Sequence, residues 1–138
     1  KIWTNPNLLN KIALIQKIDP TYILDHGEDE EYVWAKMRLI KGGSVFKKQW
    51  NEIFVKKVID FIINHYKTFY PIYHGDPSLS NIIILDSGEF QYIDYDDITV
   101  CENKKEVLAH IQKKCIESFS QKVVDFDVVQ IIKDRCTV

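Results

Sequence analysis

Cysteine is sparse in this chain of 138 residues: Cys101, Cys115 and Cys136 are odd in number and widely spaced. None falls in a CxxC or CxxH pair, which excludes the usual zinc spacings and a disulfide framework and leaves a reduced, cytoplasmic chain as the simplest expectation. Long apolar runs are also missing, since none approaches the ~20 residues of a spanning helix, and no secretory leader is visible. Charge of one sign is not in excess either. With 18 basic and 20 acidic residues, a net charge of -2 and a pI near 6.1, the sequence suggests neither a nucleic-acid face nor affinity for an anionic membrane. Repeats, low-complexity stretches and linker-like segments are lacking. The chain opens on Lys1 rather than Met and in mid-rhythm, as expected of an excised piece, a processed product or a truncated chain.

What is present is an ordinary globular composition, 46% hydrophobic and 28% charged, enough for one core and too short for two ordinary domains. Asn5-Pro6 reads as a helix start, followed by Leu8, Leu9, Ile12, Ile15 and Ile18 at helical spacing and stopped at Asp19-Pro20. Residues 22–24 and 32–40 read as antiparallel strands, joined by an exposed acidic loop over 25–31 that is expected to be solvated rather than metal-binding. Gly42-Gly43-Ser44 breaks the second strand. A long helix then presents Trp50, Ile53, Phe54, Lys57, Val58, Phe61, Ile62 and His65 as one buried face and ends at Tyr70-Pro71. Ile82–Leu85 and Phe90–Ile93 flank Asp86-Ser87-Gly88-Glu89, a hairpin turn. From Asn103 the pattern is helical, with Val107, Leu108, Ile111 and Cys115 as a stripe and Lys104, Lys105, Lys113, Lys114 and Lys122 as its solvated face. Residues 123–132 form a further apolar segment. Trp34 and Trp50 are expected in the core, Trp3 against a missing segment, and His26, His65 and His110 on surfaces or helix faces. The order of elements is that of one α+β unit.

The stretch Tyr73-His74-Gly75-Asp76-Pro77-Ser78-Leu79-Ser80-Asn81 carries the chemistry. A hairpin returns the end of its second strand beside the start of its first, so Asn81 and Asp94 become spatial neighbours. An amide oxygen and a carboxylate so placed suit Mg²⁺, which takes one or two protein oxygens plus substrate phosphates. Asp76 then stands nearby as a base for an attacking hydroxyl, the division of labour that phosphoryl transfer uses. Asp96 and Asp97 read as a second ligand, an amine contact or a cap, and His74 as a brace for the loop.

His74-Gly75-Asp76, Asn81 and Ile93-Asp94 together resemble the catalytic loop and metal-binding segment of the protein-kinase-like superfamily, in its small-molecule branch of aminoglycoside phosphotransferases, choline and ethanolamine kinases and related sugar kinases. The resemblance, over roughly residues 8–100, implies Asp76 as catalytic base, Asn81 and Asp94 as Mg²⁺ ligands, His74 as loop support, and ATP or GTP as donor. It implies that 8–18 is the helix bridging two lobes, that Met37 backs an adenine pocket, and that the Arg38, Leu39 and Ile40 backbone is the hinge that binds adenine. Residues 1–40 would then be a remnant of the small lobe and 41–138 the large lobe.

Two family features are missing: the glycine-rich phosphate loop with its strand lysine, and the glutamate of the bridging helix that pairs that lysine. Phosphoryl transfer leans on such electrostatic positioning, so the chain alone is expected to be weakly active or inactive. Two functions follow. One is a Mg²⁺-dependent phosphotransferase acting on a small-molecule hydroxyl (sugar, aminoglycoside, choline-like alcohol or envelope-glycan precursor), with no nucleic-acid partner. The other is a truncated or degenerate kinase-fold module that binds or regulates. A chain without its small lobe would expose apolar surface and is expected to self-associate or to pair with the missing segment.

Overall fold

A computed structural model of the chain describes residues 2–3 and 8–137, with side chains from Leu8 onward. The expected helix start at Asn5-Pro6 and the side chain of Trp3 lie outside the described residues. The described chain is α+β and divides into two compact units, Lys1–Ile40 and Lys41–Val138, where the order of elements alone suggested one.

In the first unit, α1 (Leu8–Ile18) buries Leu8, Ile12 and Ile15, one stripe at helical spacing. Asp19 stops it: its backbone N–H still reaches Ile15 O at 2.8 Å, while its carboxylate accepts from Thr21 N and Oγ1 at 3.1 and 2.8 Å and turns the chain. The helix packs on a three-stranded antiparallel sheet in the order β1 (Ile2–Trp3), β3 (Val33–Met37), β2 (Ile23–Glu28). Two expectations change here. The sheet has a third strand, and β2 runs on through Asp25-His26-Gly27-Glu28, which the polarity of those residues marked as loop. Backbone pairing to β3 decides this, since an edge strand satisfies its ladder whatever its outward side chains carry. Trp34 is half-buried rather than core, lying across Gly27 so closely that a Cβ there would meet the indole at 2.7 Å.

In the second unit, α2 (Glu52–Phe69) is capped by Asn51, whose side chain accepts from Phe54 N at 2.8 Å. The face it buries is Val55, Val58, Ile59, Ile62, Ile63 and Tyr66, rotated from the expected one. Ile53 is 68% exposed, and Phe54, Phe61 and His65 sit half-buried on the flank, against Phe90 and Tyr92. Two apolar stripes of equal period adjoin on this helix, and periodicity does not rank them. Packing does, because α4 (Val128–Arg135) lies on α2 and on α3 (Lys104–Phe119), enclosing Ile59, Ile62, Ile111, Cys115, Phe119 and Ile132.

Trp50 is buried as expected. Its Nε1–H donates to Val45 O at 3.1 Å, and its ring lies 5.2 Å from that of Phe119. Lys122 does not belong to the solvated helix face: α3 ends before it, and its ammonium lies 4.5 Å from the Trp50 ring centroid while donating to Lys48 O. Val123, at the start of the expected apolar segment, is fully exposed, and that segment becomes helical only at Val128. Gly43–Ser44 is not merely a break but a short strand, β4, pairing with β6 (Ile82–Ile84), which pairs with β7 (Phe90–Tyr92). The β6–β7 turn closes through Leu85 N to Glu89 O and Gly88 N to Leu85 O, with Gly88 at φ +86° as such turns require. A second ladder joins β5 (Ile72–Tyr73) to β8 (Thr99–Val100). These two ladders bracket the loop of interest.

Candidate active site

The loop from His74 to Asn81 is held at both ends by backbone pairing, β5 before it and β6 after it. Inside it, Pro77 and Leu79 are buried and a short 3-10 turn spans Leu79–Asn81. The hairpin does what its length suggested: Ile93 N donates to Asn81 O at 2.8 Å, so Asp94 follows directly on a residue bonded to Asn81.

Asn81 is buried, and its Nδ2 donates to Asp76 Oδ2 at 3.0 Å and to Asp76 O at 3.2 Å. Both partners are acceptors only, so the orientation of the amide is unambiguous, and its Oδ1 is turned from the Asp76 carboxylate. The other Asp76 oxygen, Oδ1, accepts from Ser78 Oγ. Asp94 stands in the left-handed region at φ +56° with its side chain exposed, and its Oδ1 accepts from Asp96 N at 3.3 Å. An aspartate tolerates this conformation better than most residues because of such local bonding. Asp96 thus steadies Asp94 through its backbone; its own side chain is half-buried.

His74 is the buried link between the two segments. Its Nδ1 accepts from Asp76 N at 3.2 Å, so the opposite nitrogen, Nε2, carries the hydrogen and donates to Ile93 O at 3.0 Å. The ring stacks on Tyr92, centroids 4.2 Å apart. Burial holds its pKa below the ordinary histidine range, outweighing the Ile93 bond and the charges of Asp76, Asp94 and Asp97. An imidazole bonded at both nitrogens ties the two segments together. Gly75, at φ +92°, lets the loop pass against the second segment: a Cβ there would stand 2.0 Å from Asp97 O.

Asn81 Oδ1 and the Asp94 carboxylate are hard oxygen donors, and this pair fits Mg²⁺, which keeps several waters and shares substrate phosphates. Among the described residues no group of three histidine, cysteine, aspartate or glutamate side chains gathers to hold a metal by itself.

Residues 37–40 belong to the first unit, and the loop and hairpin to the second. Met37 is half-buried at the end of β3, which stops there rather than at Ile40. The Arg38 N–H is committed to Tyr22 O at 2.8 Å and its guanidinium to Asp19 at 3.3 Å, so the expected adenine bond cannot come from that amide. Leu39 is 81% exposed and Ile40 half-buried.

Sequence reasoning passed over Ser78 and the Tyr73–His110 pair, joined at 2.7 Å between Oη and Nδ1. A serine two residues after an aspartate is a detectable signal for the first. Tyr73, in β5, and His110, in α3, lie 37 residues apart, and only the folded chain joins them.

No family model matches the chain, and no curated protein matches it. Among solved structures, the chain is similar to the bifunctional kinase-methyltransferase WbdD, with a TM-score of 0.53 and 13% identity, over 94% of this chain and 35% of that one. The chain therefore spans about a third of the length of that protein. At this identity the likeness is one of fold alone.

Proposed function

We propose that this chain is part of a Mg²⁺-dependent phosphotransferase that moves the γ-phosphoryl of ATP or GTP to a hydroxyl of a small molecule. A sugar, an aminoglycoside, a choline-like alcohol or an envelope-glycan precursor would each offer such a hydroxyl. The observation that carries the reading is the bond from Asn81 Nδ2 to Asp76 Oδ2, made while Ile93 N holds Asn81 O. It ties Asp76 to Asn81, and Asp94 follows the residue bonded to Asn81, which supports reading the three as one site. The likeness in fold to a bifunctional kinase-methyltransferase supports the same reading.

Asp76 receives the proton of the acceptor hydroxyl as that oxygen bonds to phosphorus. Asn81 Oδ1 and Asp94 are the groups to hold Mg²⁺, which when bound neutralises charge on the phosphates. His74 keeps the two segments in register and takes no proton. Leu39 and Ile40 remain the hinge backbone proposed for adenine, Arg38 having spent its amide. Calorimetric titration with ATP and with GTP, with and without Mg²⁺, tests the reading. Binding should require Mg²⁺, weaken about tenfold or more in Asp94→Asn through loss of a charged ligand, and persist in Asp76→Asn. Equal binding by wild type and Asp94→Asn would remove the metal assignment.

One observation favours the second reading, a kinase-fold module that binds or regulates without catalysis. α1 carries no acidic residue among Leu8–Ile18, so nothing there can pair a phosphate-binding lysine. Mg²⁺-independent nucleotide binding, or none, would favour that module.

A further inference from the structure

We infer that Ser78 is a positioning residue that aims the Asp76 carboxylate, an assignment that rests on Asp76 being the base proposed above. The first observation is what Ser78 declines to do. Among the described residues, four stand immediately before a helix or 3-10 turn and cap it with side chains that accept from its backbone: Ser44 from Phe46 N, Asn51 from Phe54 N, Asn103 from Glu106 N and Asp127 from Gln130 N, at 3.2, 2.8, 3.2 and 3.0 Å. Ser78 occupies the same position before Leu79–Asn81, yet its side chain makes no cap. Backbone conformation does not explain this. Ser44 caps at φ -63° and ψ 134°, while Ser78 stands at φ -69° and ψ 146°. The same residue type in the same conformation turns its hydroxyl elsewhere.

Where it turns is the second observation: Ser78 Oγ donates to Asp76 Oδ1, while Asn81 Nδ2 donates to Oδ2. The terminal torsion of an aspartate is broad, so one donor leaves the carboxylate free to swing about the bonded oxygen. Two donors, one on each oxygen, fix its plane. Each oxygen accepts two bonds, so fixing the plane still leaves lone pairs for an acceptor hydroxyl. A base that must meet a proton in line with phosphorus gains from that fixed aim, because a misplacement of ~1 Å can cost ~100-fold in rate.

The test uses the whole phosphotransferase of which this chain is proposed to be part, with water as the acceptor and Mg²⁺-ATP and Mg²⁺-GTP as probes. Water's oxygen bonds to the γ-phosphorus, its proton passes to Asp76, and the nucleoside diphosphate leaves with the bridging oxygen's electron pair. Ser78→Ala should lower kcat about 10- to 100-fold with the nucleotide KM unchanged, and Ser78→Thr, which keeps the hydroxyl, should return to within about threefold of wild type. Ser78→Cys, close in size with a weak donor, should behave as Ser78→Ala and is read instead should the alanine variant unfold. Unchanged kcat in the alanine and cysteine variants, a change confined to KM, or a threonine variant as slow as alanine overturns the assignment of Ser78. Wild type without hydrolysis, or Asp76→Asn as fast as wild type, overturns the base itself, and the role of Ser78 falls with it.

Discussion

His65 offers a direct measure of how tightly the flank of α2 is sealed. Its ring lies among those of Phe69 at 4.8 Å, Tyr92 at 4.7 Å and Phe61 at 6.0 Å, edge-on to the tyrosine. Burial, and then the charge His74 would carry, lower its pKa from 6.5 to about 4. The folded state therefore keeps His65 neutral at pH values where the unfolded chain has already bound a proton. Above the unfolded pKa the residue costs nothing. As pH falls from that value towards the folded one, stability drops with a limiting slope of about 1.4 kcal/mol per pH unit, and below the folded pKa the loss levels off near 3 kcal/mol. Between about pH 7.5 and about pH 5 the two protonation curves differ by about 2 kcal/mol.

Urea unfolding followed by tryptophan fluorescence at those two pH values measures the change. Groups other than His65 also contribute to the pH dependence of the wild type, so the wild-type slope alone is not diagnostic. Phenylalanine keeps the ring contacts and cannot bind the proton, so the wild-type loss should exceed that of His65→Phe by about 2 kcal/mol. The refuting result is an equal loss in both proteins, which would mean that His65 is solvated enough to titrate as an ordinary histidine.

Three further outcomes follow from contacts already described. Gly75→Ala combines a left-handed backbone with a clash against Asp97 O, so it should destabilise the second unit by about 2–5 kcal/mol in urea unfolding; a cost below about 1 kcal/mol would show the two segments to be loosely apposed. Phe119→Ala removes a fully buried ring beside Trp50 and should cost about 3–5 kcal/mol with a change in tryptophan emission. Arg135→Ala breaks the 2.8 Å pair with the exposed Asp60 and should cost no more than about 1 kcal/mol by the same assay.

The stripe of α1, the β6–β7 hairpin with its Asp86–Glu89 turn, and the start of α3 beside Asn103 were all legible in residue order. Each depends on neighbours within a few positions, where side-chain period, glycine at positive φ and a capping amide act locally. The loop with Asp76, Asn81 and Asp94 was legible for a related reason. A short hairpin is itself a local structure, so thirteen residues of spacing already imply proximity. What misled were stretches whose environment is distant. Asp25–Glu28 is polar yet strand, because β3 supplies its hydrogen bonds. Val123 is apolar yet exposed, and Lys122 is charged yet laid on Trp50.

By itself, then, the sequence determined which groups could act: a carboxylate, an amide and a second carboxylate at the ends of a loop and a hairpin. Only the tertiary structure decided how they are aimed. The neutral state of His74 comes from burial under Tyr92, the Asp76 plane from Ser78 and Asn81 together, and the Arg38 amide is spent on Tyr22. Bonding partners and dielectric are properties of assembled neighbours, and no window of residues contains them.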